Sequence, residues 1–173
     1  MNFLHLFKNN NTKNIMTTNT ETTSKNMLLT RTLNAPRELV WKAWTESKLM
    51  AEWWSPRGFT NPTCEIDVRP GGAIRIHMDH PNFPNHWMTG TFKEVSKPEK
   101  LVFISKAFED EKGNAELEIL NTVTFEEING KTKLTVNAQI LKATEKMKFA
   151  VGGMNQGWNE SIDKLEELLA KIK

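Results

Sequence analysis

The chain has 173 residues, of which 38% are hydrophobic, and a net charge of +2, enough for one domain with its own core and no more. Basic and acidic residues are interspersed, so the field that draws a protein to nucleic acid or an anionic membrane is missing, and no apolar run approaches the roughly 20 residues of a spanning helix. A single cysteine, Cys64, rules out an internal disulfide and, with no residue pair at metal-ligand spacing, points to a reducing, cytoplasmic setting.

Met1 to Phe7 is apolar but too short for a secretion signal, and it lacks both a leading positive charge and a small-residue cleavage site. From Lys8 to Asn26 the residues are mostly Asn, Thr, Ser and Lys, with little apolar surface to offset the entropy of ordering. Residues 1–26 are therefore expected to be a disordered tail, with Met16 an alternative start of translation inside it. Residues 27–173 are expected to form the domain.

Met27 to Leu33 is a β-prone run stopped by Asn34, Ala35 and Pro36. Pro36 opens a helix, where its missing N–H costs nothing, and Val40, Trp41 and Trp44 follow at helical spacing. Thr45 to Trp54 reads as a second short helix, ended by Ser55, Pro56, Arg57 and Gly58. Beyond Gly58 the period becomes two. Turn signals at Pro70-Gly71-Gly72, Pro81 to Asn85, Lys97-Pro98-Glu99, Asp110 to Asn114 and Asn129-Gly130 divide this region into strands over Thr63–Val68, Ala73–Asp79, His86–Val95, Leu101–Phe108, Ala115–Glu126 and Lys131–Leu141. Leu117, Ile119, Asn121, Val123 and Phe125 share one face, as do Leu134, Val136, Ala138 and Ile140, which requires an apolar cover over one side of the sheet. The cover is a long C-terminal helix whose stripe runs Met147, Val151, Met154, Trp158, Ile162, Leu165, Leu169 and Ile172. Gly152, Gly153 and Gly157 in its first half each weaken it by roughly 1 kcal/mol against Ala; they serve close approach to the sheet or leave room for a guest. The expected fold is α+β, a curved antiparallel sheet of about seven strands wrapped around that helix, with two short helices after the first strand.

Taken in order, several pieces resemble the activator-of-heat-shock-ATPase-like (AHSA-type) branch of the START-like, or SRPBCC, superfamily. They are Ala35-Pro36 with Val40-Trp41 and Trp44-Thr45, Trp53-Trp54-Ser55-Pro56 with Gly58-Phe59-Thr60, Asp67 with Arg69-Pro70-Gly71-Gly72, Met78, Gly90, Pro98 to Phe103, Leu134-Thr135, and Gly157-Trp158 with Leu165, Leu168 and Leu169. The resemblance spans Leu28 to Ile172 and implies a helix-grip fold with a cavity between sheet and helix. It implies no one function, because related domains bind lipids, cyclise polyketides or bind co-chaperone partners. The segment Asp79 to His86, with Pro81 and Pro84, departs from the family's short hairpin and reads as a stiffened loop.

Strand alternation and the helix stripe together select the ligand-facing candidates Ile74, Ile76, Met78, Met88, Phe92, Phe103, Ile119, Val136, Met154 and Trp158, to which Asn121 on the same face and Trp54 and Phe59, flanking a loop near the expected cavity mouth, are added. The alternative for each apolar member is that it fills the core. Asn121 interrupts an apolar face, so it pairs with a ligand group or with a neighbouring backbone group or water. Trp53, Trp54 and Phe59 either gate a mouth or pack the short helices. His77, His80 and His86 cluster in sequence with Asp79, but His77 and Asp79 share the wet face, and no metal is expected. No nucleophile motif or phosphate-binding turn is present. The sequence thus favours binding of a small hydrophobic molecule over catalysis, without cofactor, as a monomer or homodimer. The alternatives are a partner domain for a heat-shock chaperone and a small cyclase or hydrolase using the cavity.

Overall fold

Strict alternation over two long strands, joined by Asn129 and Gly130 both at positive φ, is what a tight antiparallel hairpin needs, and it forms the middle of the sheet. The computed structural model describes residues 19–22 and 26–172. Its elements are β1 (Asn19–Thr22), β2 (Asn26–Leu33), α1 (Arg37–Thr45), α2 (Ser47–Trp53), β3 (Cys64–Ile66), β4 (Ala73–His80), β5 (Phe83–Ser96), β6 (Lys100–Glu109), β7 (Ala115–Ile128), β8 (Lys131–Ala143) and α3 (Lys148–Lys171), with a 3-10 turn at Glu145–Met147 before α3. The eight strands run in the order β1-β2-β8-β7-β6-β5-β4-β3, every neighbour antiparallel. This is the helix-grip arrangement the sequence leads one to expect.

Two features differ from that expectation. Asn19–Thr22 falls within the segment read as a disordered tail, yet it pairs with Met27–Thr30 as an edge strand; ladder hydrogen bonds need no apolar side chains. The rest of that tail up to Lys25, with Met16, lies outside the described residues. The segment read as a stiff loop from Asp79 to His86 is instead the end of a hairpin: β4 continues to His80, which pairs with Phe83 across Pro81 and Asn82, and Met78 pairs with His86. Pro84 is tolerated there because the pairing of β5 with β6 begins only at Met88, so no partner on that side waits for its missing N–H.

The core lies between the concave face of the sheet and the helices. Trp44 is fully buried on α1 and meets Phe125 of β7 edge-on at 5.8 Å, while Trp53 of α2 stands 4.7 Å from Trp44. Ile162, Leu165 and Leu169 close the second half of α3 onto this cluster. An ion pair reinforces the seam: Arg31 of β2, buried beneath α3, donates to Asp163 and, at 2.9 Å, to Asn159. No helix among the described residues is long and apolar enough to cross a membrane.

Candidate functional site

The first half of α3 does not close onto the sheet. Beneath it is a cavity of about 200 Å³, walled by β4, β5, β6 and β7 on one side and by Ala150, Val151, Gly153, Met154, Gly157 and Trp158 of α3 on the other. The α3 stripe changes character along its length: Ile162, Leu165 and Leu169 are buried, whereas Val151, Met154 and Trp158 are half-buried because they border the cavity.

The glycines on α3 play separate parts. A Cβ on Gly157 would stand 3.3 Å from the Pro56 ring, so this glycine lets the helix approach the loop after α2. Gly153 lines the cavity and leaves volume there. Gly152 is exposed, and a Cβ on it would meet nothing within 4 Å.

Trp54 forms the inner end of the cavity and is held by its backbone. Its carbonyl accepts hydrogen bonds from Asn61 Nδ2 at 2.6 Å and Lys164 Nζ at 3.3 Å, and also from the Ser55 hydroxyl. Lys164 also reaches the Ser55 carbonyl at 3.2 Å; burial, and then the neighbouring Arg57, lower its pKa. Arg57 is taken up by Glu167 at 2.6 Å, which raises the Arg57 pKa and lowers that of Glu167. Glu167 neutralises Arg57 in a polar surface recess next to the cavity, and the contacts of Lys164 and Arg57 tie the loop after α2 to α3. The Trp54 and Trp158 rings then meet edge-on at 5.4 Å.

The opposite end is aromatic. Thr60 forms a two-way backbone bridge with Asp79, which sets Phe59 beside His80 at 4.8 Å and His86 at 6.0 Å. His86 stacks on Phe108 at 4.8 Å with 22° between the planes, and Phe108 meets Phe149 at 5.9 Å. Phe108 has φ 57°, an outlier for a bulky side chain, and this backbone turn brings its ring to the cavity wall. Burial lowers the pKa of His86, opposed by a hydrogen bond to the Pro84 carbonyl and aided by His77. The histidine is therefore held neutral.

The polar group on the sheet side is Asn121, buried as its position on an apolar face requires. Its Nδ2 donates to Ser105 Oγ at 2.9 Å and to the Ile119 carbonyl at 3.3 Å. The neighbouring-backbone reading of this residue thus describes its nitrogen. Both bonds leave from Nδ2.

Of the residues selected from the sequence, Trp54, Phe59, Met78, Met88, Ile119, Asn121, Met154 and Trp158 line the cavity. Ile74, Ile76, Phe92 and Phe103 face the packed interior between β4, β5, β6 and the short helices, around a void of only about 10 Å³ that Trp54 and Met88 also border. Val136 is fully buried in the core. Sheet curvature makes the difference: strand alternation identifies the concave face, but which part of that face lies under the open half of α3 depends on the bend. Trp53 is a packing residue, with its indole N–H bonded to the Ala43 carbonyl at 2.9 Å.

Ser55, Pro56, His86, Ser105, Ala107, Phe108, Leu117, Ala150, Val151 and Ser161 also line the cavity, although the sequence does not single them out as ligand-facing. Leu117 was within reach, since it shares the face of Ile119 and Asn121. The three clustered histidines part company. His77 stacks on Trp87 at 4.7 Å, His80 is buried beside Phe59 and Phe83, and His86 enters the cavity wall. No group of three or more potential metal ligands occurs among the described residues.

Solved structures share this architecture. A crystal structure of a protein from Nitrosomonas europaea has a TM-score of 0.72 at 25% identity, covering 87% of this chain and 97% of that one. A solution structure from Arthrobacter aurescens reaches 0.76 at 21% identity, with 88% and 91% covered. A crystal structure from Rhodobacter sphaeroides reaches 0.75 at 22%, with 90% and 99% covered. None of the curated proteins compared is similar to the chain. Residues 34–170 match the profile of the Activator of Hsp90 ATPase homolog 1-like protein family, and with the match covering most of the chain, this protein belongs to that family.

Proposed function

We propose that this protein binds a small hydrophobic molecule in the cavity beneath the first half of α3. The observation behind this reading is the cavity itself, about 200 Å³ and bordered largely by Trp, Phe, Met, Leu, Ile, Val and Ala side chains. A fold that needed only a core would place bulk where Gly153 and Ala150 stand. Engineered apolar cavities of about 150 Å³ take up benzene, so a molecule of one or two fused rings matches the space. The methionines at positions 78, 88 and 154 give the wall an adaptable shape.

A reducing, cytoplasmic setting accords with Cys64, a half-buried thiol whose pKa is raised to about 11 by burial and by the adjacent Glu65, and which therefore stays protonated and unreactive. The test uses the tryptophans already in the wall. Titration with naphthalene should change the emission of Trp54 and Trp158 saturably, and native mass spectrometry should find small apolar molecules carried through purification. A linear, unsaturable response together with protein of bare mass would overturn the reading.

A further inference from the structure

Among the described residues that border the cavity there is no Asp, Glu, Lys or Arg, and the one titratable group, His86, is held neutral by burial. A charged ligand would leave its hydration shell and find no counter-charge, a cost that an apolar site cannot offset. This disfavours carboxylates, fatty acids among them, as well as amines. The lining is not featureless, however. Asn121 gives both amide hydrogens away, one to Ser105 Oγ at 2.9 Å and one to the Ile119 carbonyl at 3.3 Å. What remains of this pair is one acceptor, the Asn121 Oδ1, beside one donor, the Ser105 hydroxyl hydrogen, whose oxygen is already engaged. One donor next to one acceptor complements a hydroxyl group. A ketone or ether would use the Ser105 hydrogen only, and a hydrocarbon would use neither.

Resting on the hydrophobic-ligand reading above, we infer that the ligand is an uncharged aromatic alcohol of the phenol or naphthol class, its ring between Trp158 and the Phe108 end of the cavity and its hydroxyl on the Ser105–Asn121 pair. The hydroxyl donates to Asn121 Oδ1 and accepts from Ser105 Oγ–H. A site built to pair with a hydroxyl rejects the analogue lacking it more strongly than an apolar pocket rejects a missing methylene.

Four probes decide the matter by tryptophan fluorescence and calorimetry at pH 7.5: 2-naphthol, naphthalene, 2-naphthoate and decanoate. The expected result is that 2-naphthol binds at least tenfold more tightly than each of the others, although naphthalene is the more hydrophobic. Ser105→Ala should weaken 2-naphthol about tenfold and leave naphthalene unchanged. Binding of naphthalene, naphthoate or decanoate as tight as that of 2-naphthol overturns the inference while the general reading stands, as does an S105A variant with unaltered naphthol affinity. Binding of none of the four overturns both. Because the comparison among probes is made on the unmodified protein, it decides the question even where S105A fails to fold.

Discussion

Gly157 and Pro56 meet so closely that a single added carbon on the glycine would lie 3.3 Å from the proline ring. At this contact α3 passes from a helix that seals the core to one that roofs a cavity. Gly152, one and a half turns earlier, faces open space. Gly152→Ala should therefore stabilise the protein by about 0.5–1 kcal/mol through helix propensity and reduced freedom of the unfolded chain. Gly157→Ala should gain less than half of that, because the Pro56 ring must yield. Urea denaturation of the two variants side by side checks the difference.

Arg31 carries much of the seam between β2 and α3. It is buried, donates to Asp163 and Asn159, and lies 3.8 Å from Glu166. Arg31→Met should cost about 1.5–3 kcal/mol at pH 7, the usual range for charged hydrogen bonds. Burial raises the pKa of Glu166 above 4.5, with Arg31 opposing and Asp163 reinforcing that shift. A carboxyl whose folded pKa is raised costs stability as pH rises through the unfolded value toward the folded one. Loss of Arg31 enlarges this penalty, so the deficit of R31M should be greater at pH 7 than at pH 4, and the Glu166 carboxyl resonance should titrate higher than in the parent.

His86 sets an opposite dependence. Its folded pKa is lowered below 6.5, chiefly by burial, so below that pH the unfolded chain takes up a proton that the folded chain resists. Stability from this group is present above pH 6.5 and is lost as pH falls from there toward the folded value. His86→Phe keeps the stacking on Phe108 and removes the proton. Its melting temperature should fall less than that of the parent between pH 7.5 and pH 5.5, measured by circular dichroism.

Occupying the cavity from within should separate binding from folding. Ala150, in the first turn of α3, lines the space, and Ala150→Leu places a branched side chain there. Naphthalene should no longer change the tryptophan emission, while the unfolding free energy stays within about 1 kcal/mol of the parent, since open space receives the added atoms without strain. Ala170→Leu, on the exposed end of the helix, should bind as the parent does.

The sheet, the cover helix and the family are all legible in local patterns of residues. Period-two alternation in β7 and β8, the Asn129-Gly130 turn and the α3 stripe are local signals, and each survives folding because its side chains face where the periodicity sends them. Asn121 was legible for the same reason, as one amide on an apolar face. Whether its neighbour across the sheet was a donor or an acceptor was not legible, because Ser105 meets it only through the register of β6 on β7. Which apolar residues border a cavity and which pack the core depends instead on how the sheet bends around α3. Ile76 and Met78 sit two apart on one strand, yet one is fully buried in the interior and the other lines the cavity. Only the bend of the sheet and the Gly157–Pro56 contact fix where α3 leaves it. His86 entered the wall through continuation of the β4–β5 hairpin past its prolines, a pairing between strands that no single stretch of sequence displays.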